Sequence, residues 1–305
     1  MHRVAMALVI LLFCAGSRAQ SGPAQRVAPG VWFFVGDSAK GYSNTTVIEM
    51  RDYLIVVDAN YPGRAHELLD EIPKLSSKPV RYVFDTHHHG DHSYGNSVWT
   101  KAGATTLAAI GVTEEMDRYE PTRWNVAEQK RDDVRGLHEA DVERPRKTFS
   151  GGEFILHDRT REVRFLFLGW GHTRGDGYVW LPKERLLCTG DAAVNGPRNK
   201  LWDANLANWP KVLDRAIALG PGHVLPGHGD AGGIEILTGQ KMFLVDLLEE
   251  VGGQRDAGVP PAAMKLELPV RDAHWVPKSL EQDFAIARSE LDAGKPAGAI
   301  PHVWH

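Results

Sequence analysis

The chain has 305 residues, 43% hydrophobic and 24% charged, with a formal net charge of −4. These proportions exclude an intrinsically disordered chain, a collagen-like fibre and a small disulfide-stapled scaffold, and the length suffices for a sizeable core. No basic excess points to a nucleic-acid partner, whereas histidine stands out: there are 14, several of them in one short stretch.

The N-terminus reads as an address label. His2 and Arg3 give a basic start, an apolar run follows over residues 4–15, and Ser17-Arg18-Ala19 places small residues before Gln20. This order predicts a cleavable secretory signal peptide over residues 1–19, and hence a periplasmic or secreted protein. The apolar run is short for a bilayer span. A lipid anchor on Cys14 is disfavoured, because the preceding Phe13 is bulky where lipid attachment needs a small residue. Cleavage removes two of the 35 basic residues and none of the 39 acidic ones, so the mature charge is −6. It also leaves Cys188 alone, so the core or a metal, not a disulfide, must hold the exported chain together. No later apolar run has the length of a membrane span, and the mature protein is expected not to be membrane-embedded.

Residues 20–30 are rich in Gly, Pro, Ala and Gln and read as a loose leader. Short β-type runs follow at 31–35, 45–50 and 53–58, then a turn at Tyr61-Pro62-Gly63. Residues 64–75 have the pattern of an amphipathic helix interrupted near Pro73. A β-run over 80–85 stops at the histidines, and another follows at 104–109. Residues 111–140 are polar, charged and helix-like, as an insertion over the surface. The second half repeats the style, with β-runs at 153–157, 163–168, 178–181 and 186–188, a helix at 209–219 and a short strand at 223–225. Residues 231–305 are predominantly helical, at 236–251 and 279–291, and read as a C-terminal extension. Strands alternating with helices predict an α/β protein with mixed sheets.

Residues 86–92 are Thr-His-His-His-Gly-Asp-His, at the end of an apolar run. His87 and His89 are two apart in an extended segment and point the same way, so they can grip one ion. Asp91 and His92 lie just past Gly90 and can turn toward a second. A solvated loop accounts for one isolated histidine but poorly for three with an aspartate. His172 in Gly-His-Thr-Arg-Gly-Asp, Asp191 in Thr-Gly-Asp and His228 in Pro-Gly-His-Gly also follow apolar runs. Their Gly neighbours permit close approach to a ligand. Oxygen and nitrogen donors without thiolate suit two divalent ions: zinc by default, with iron or manganese as alternatives.

These motifs, in this order, resemble those of the metallo-β-lactamase superfamily over residues 27–230. The resemblance implies a four-layer αββα sandwich with the metal site at one edge and a C-terminal helical extension beyond it. It implies one ion on His87, His89 and His172, a second on Asp91, His92 and His228, and Asp191 as the bridge. It further implies catalytic roles for Asp91 and for a metal-bridging hydroxide held by Asp191, and a structural, hydrogen-bonded role for Asp58.

The expected function is an exported dinuclear zinc hydrolase acting on an acyl-type bond of a small molecule: a lactone, thioester, ester or amide. Asp191 stands where lactamases with a cysteine ligand have Cys, which lowers but does not remove β-lactams as substrates. Cys188, three residues earlier in an apolar run, reads as a buried thiol. An iron-dependent oxidoreductase on the same fold is a further alternative. A diiron electron-transfer member would typically carry a glutamate in the first motif, where His89 and Asp91 stand here. Asn195, Arg198 and Lys200 are candidates to meet an anionic substrate group. Trp170 reads as core, and His88 as lying behind the ligands or exposed.

Overall fold

The computed structural model describes residues 23–198 and 200–300. The expected signal peptide at 1–19 lies outside them. The first half supplies β1 (Gln25–Ala28), β2 (Val31–Phe34), β3 (Thr45–Glu49), β4 (Leu54–Val57), α1 (Pro62–Glu71), β5 (Val80–Asp85), α2 (Gly90–Ser93), α3 (Asn96–Lys101) and β6 (Thr105–Ala109). Three helices follow, α4 (Ile110–Tyr119), α5 (Thr122–Lys130) and α6 (Asp132–Arg135), before β7 (Lys147–Phe149). The second half runs β8 (Glu153–His157), β9 (Glu162–Phe167), β10 (Gly177–Leu181), β11 (Leu186–Gly190), α7 (Trp209–Ala218), β12 (His223–Pro226), α8 (Glu235–Asp256) and α9 (Leu280–Ala293).

Strands β1–β7 form one sheet in sequence order, antiparallel from β1 to β4 and parallel from β4 to β7. The second sheet has the order β12-β11-β10-β9-β8 and is antiparallel except for β11 and β12. Side chains alternate between two cores. Ile55 and Val57 of β4 point inward, where Phe84, Phe165, Val179 and Leu186 meet between the sheets. Leu54 and Val56 point outward against Leu68 of α1 and Trp99 of α3. On the second sheet, Tyr178 and Trp180 face outward into a cluster with Trp209 of α7, Phe243 of α8 and Phe284 of α9. Both sheets are therefore covered on both faces. This is why their strands read as continuous apolar runs rather than strict alternations. The layers are αββα, as expected.

One reading of the sequence needs correction. Residues 20–30 are not all loose, because β1 pairs antiparallel with β2. Gln25 and Arg26 are exposed, so an edge strand with little apolar content carries no β pattern. The chain after the histidines also forms two short helices, α2 and α3, too brief for a 3.6-residue period to register. The insertion is helical, and Val112, Met116, Trp124 and Val134 give it a small core with Tyr94. Cys188 is buried between the sheets, where burial pushes its thiol up to about 12 and leaves it inert. Among the described residues, no helix is long and apolar enough to cross a membrane.

Candidate metal centre

The seven histidines and aspartates singled out in the sequence converge at one edge of the sandwich. His87, His89, His172 and Asp191 place donor atoms within 4.8 Å of one another, and Asp91, His92 and His228 do the same beside them. Asp191 links the two groups. Its Oδ1 lies 3.4 Å from His92 Nε2, and its Oδ2 lies 3.5 Å from His228 Nε2. His228 Nε2 is 3.1 Å from Asp91 Oδ2.

The local chain explains each placement. His87 follows β5, and its Nδ1 lies 3.1 Å from Thr86 Oγ1, which turns Nε2 inward. His92 sits on α2, with Nδ1 2.8 Å from Asp58 Oδ2, while Asp58 Oδ1 accepts the Thr86 N–H at 2.9 Å. Asp58 thus has the structural, hydrogen-bonded place expected of it. The His172 turn is gathered by Asp176, which accepts the backbone N–H groups of Gly171, His172 and Thr173. Asn44 accepts from Gly36 N–H and donates to the carbonyls of Pro226 and Gly229, which fixes the His228 loop. Two glycines are sterically required. A Cβ at Gly190, which has φ +50°, would lie 2.3 Å from Thr86 Oγ1, and one at Gly227 would lie 2.2 Å from Asp191 Oδ1.

Side chains at this centre fit divalent ions. His87 Nε2, His92 Nε2, both ring nitrogens of His172 and Asp191 Oδ1 are buried without a hydrogen-bond partner. Buried polar atoms are ordinarily satisfied, so a convergent set of orphans marks a place for a ligand. Burial, reinforced by neighbouring imidazoles, pushes His87 well below the usual histidine range and His172 down to about 3. Both stay in the neutral form that binds a metal. Burial opposes charge on His92 too, but Asp58, Asp191 and Asp91 overcome it and raise the imidazole. Burial likewise disfavours the carboxylates of Asp91 and Asp191, yet His92 and His228 hold both well below the usual range.

Behind His89 lies a residue that the sequence did not flag. Asp203 Oδ2 is 2.8 Å from His89 Nε2, and the carboxylate takes a two-pronged contact from Arg123 at 2.9 and 3.0 Å. His88 is buried next to them, 2.7 Å from Arg123 Nη1 and 3.4 Å from Asp203 Oδ2. It lies behind the ligands, one of the two placements expected. Trp170 is half-buried, not core: its Nε1–H donates to the Asp203 carbonyl at 2.8 Å. Asp203 has no motif around it, and Arg123 belongs to the insertion, so only the tertiary fold reveals either.

The centre opens into a cleft of about 540 Å³. His89, Asp91, Asp191 and His228 contribute to its lining, with Tyr61, Tyr94 and Trp202 as aromatic walls. Arg198 and Lys200 line it as expected, joined by Arg123, Lys130 and Arg131 from the insertion. Asn195 does not. Its side chain donates to the Asp230 carbonyl and lies 2.7 Å from His274 Nε2. The remaining described histidines without a motif, His66, His138, His157, His223 and His274, are exposed.

A family model, the metallo-beta-lactamase superfamily, matches residues 39–228. The chain belongs to the metallo-beta-lactamase superfamily. It is 35% identical over 88 residues to a protein of Bacteroides fragilis named metallo-beta-lactamase type 2, covering 27% of this chain and 35% of that one. It is 26% identical over 168 residues to metallo-beta-lactamase IND-1 of Chryseobacterium indologenes, covering 53% and 61% respectively. The chain therefore spans less than two thirds of the length of these two relatives. A solved metallo-beta-lactamase from Pontibacter korlensis shares the fold with a TM-score of 0.59 at 19% identity, covering 74% of this chain and all of that one.

Proposed function

We propose that the protein is an exported hydrolase that uses two zinc ions to open an acyl-type bond in a small anionic substrate. The observation that carries this reading is the pair of adjoining donor groups, with orphaned nitrogens, at the floor of a cleft rimmed by cations. His87, His89 and His172 would hold one ion, Asp91, His92 and His228 the other, and Asp191 both. When bound, such ions polarise a carbonyl and lower the pKa of water toward neutrality. Asp91 is the carboxylate nearest solvent, with its side chain 19% exposed against 5% for Asp191. His92 and His228 keep it ionised, and its exposed place in the site would let it take a proton from an attacking water and return it to the leaving atom. Arg198 and Lys200 orient the substrate by its negative group. Tyr61 and Trp202 exclude water from its apolar part.

A β-lactam is the specific substrate favoured by the relatives, which carry the name metallo-beta-lactamase. The basic start, apolar run and small-residue site at residues 1–19 support export. Metal analysis of the purified protein is the first test, followed by turnover of a chromogenic cephalosporin beside lactone and thioester substrates. Two equivalents of zinc and chelator-sensitive hydrolysis are expected. Protein with no bound metal, or metal-loaded protein that turns over no acyl substrate, overturns the reading.

A further inference from the structure

The loop between Asp191 and α7 carries one side of the cleft. Arg198 and Lys200 stand at the rim, Trp202 in the wall, and Asp203 behind His89. Among its described residues, 192–208 form only turns, bends and irregular chain. A loop without regular structure takes its shape from what packs on it. Here that is the C-terminal segment.

Glu290 of α9 is buried and accepts three backbone N–H groups: Leu206 at 3.1 Å, Ala207 at 2.8 Å and Ala297 at 2.7 Å. One carboxylate thus ties the loop to the chain beyond α9. Next to it, Gly298 N–H donates to the Ala204 carbonyl at 2.9 Å. A Cβ at Gly298 would lie 2.4 Å from the Asp203 carbonyl oxygen, so glycine is what allows this approach. Farther back in the loop, Trp275 Nε1–H donates to the Val194 carbonyl at 3.1 Å. Gln282, on the first turn of α9, lines the cleft itself.

We propose that the C-terminal segment is a built-in part of the active site: Glu290 and Gly298 hold the Asp203 backbone in place, Asp203 holds His89, and the segment thereby sets metal affinity and the position of the cationic rim. The inference rests on the metal reading above and extends it to a part of the chain beyond residues 39–228, which the family model matches. Glu290 is a positioning residue. It touches neither ligand nor cleft, and acts by satisfying three N–H donors that no neutral side chain satisfies together. In glutamine, one oxygen becomes an NH2 group that faces N–H donors, and the loop must shift.

The test titrates cobalt(II) alone into the metal-free full-length chain, because cobalt reports ligand geometry in its visible spectrum. Glu290→Gln and Gly298→Ala are each expected to weaken cobalt binding about tenfold, the low end for an outer partner of a metal ligand, and to alter the spectrum. Arg288→Ala is the control on the same helix. Arg288 contacts Asp292 and the Val259 carbonyl, and its loss is expected to lower thermal stability with cobalt affinity and spectrum unchanged. Folded Glu290→Gln and Gly298→Ala proteins with wild-type isotherm and spectrum overturn the proposal, as does Arg288→Ala matching their shift. If Glu290→Gln does not fold, Gly298→Ala decides alone. Wild-type protein that takes up no cobalt overturns the metal reading itself, and this inference with it.

Discussion

Asp203 Oδ2 stands 2.8 Å from His89 Nε2 across 114 residues of sequence, and the contact fixes which face of the imidazole is free. With Nε2 engaged, Nδ1 is left for an ion. Burial disfavours charge on Asp203, but His88, His89 and Arg123 hold the carboxyl well below its usual range, so it acts as an anion. Asp203→Asn is expected to weaken metal affinity 10–100-fold, measured by competition with a chromophoric chelator. It also takes the anionic partner from the largely buried Arg123 guanidinium, which costs about 3 kcal/mol in denaturant unfolding. Unchanged metal affinity would remove Asp203 from the site.

Asp191 approaches both donor groups, so its loss affects both ions. Asp191→Ala is expected to lower metal content from two equivalents and to cut hydrolysis by more than the roughly 10–100-fold that loss of an outer partner costs. Chelation of the wild-type protein follows the same logic. The orphaned nitrogens of His87, His92 and His172 lose their partner, and ions present at about a hundred times their dissociation constant stabilise the fold by about 2.7 kcal/mol. A fall in melting temperature on chelation, reversed by zinc, checks this. Asp191→Ala that keeps both metal content and turnover defeats the two-ion assignment.

The ligand residues were legible in the sequence because each sits in a short motif at a strand end, where the fold needs glycine nearby. His87 follows β5 and Asp191 follows β11, and continuous apolar runs announce both strands. The outer partners were less visible. Asp58 was found only through its place in the family pattern. Asp203 lies in an irregular loop among Leu201, Trp202 and Ala204, where its one sequence signal is being an aspartate. Its neighbours are Arg123, 80 residues away, and Gly298, contacts that no local period encodes. Asn195 failed for a related reason. Closeness to Asp191 in sequence suggested the cleft, but a backbone acceptor at Asp230 and the His274 ring occupy its amide.

Arg198 and Lys200 line the cleft and are expected to act in binding more than in chemistry. Removing either side chain takes a charge-assisted contact from substrate and transition state alike. Arg198→Ala and Lys200→Ala should each raise KM about tenfold for an anionic substrate, roughly 1.4 kcal/mol, with kcat little changed. Added salt should weaken the wild-type enzyme's binding more than that of either variant. A substrate analogue lacking the anionic group should show no difference between wild type and variants. A fall in kcat with KM constant would place these residues in the chemistry instead.

Asp283 of α9 gives the fold a pH dependence of its own. Its side chain is 2% exposed, its Oδ2 has no hydrogen-bond partner, and burial, countered only in part by Lys200, pushes the carboxyl up to about 7. In the unfolded chain an aspartate ionises near 4. Between those values the unfolded state releases the proton and the folded state keeps it. Stability is therefore unaffected below about pH 4, falls as pH rises toward 7, and levels off above it, by an amount on the order of 4 kcal/mol. Asp283→Asn mimics the protonated carboxyl at every pH. Its melting temperature should match the wild type at pH 4 and exceed it at pH 8, with the difference developing between those values. Equal melting temperatures at pH 8, or a variant less stable there, would show that Asp283 ionises in the folded protein at its ordinary value.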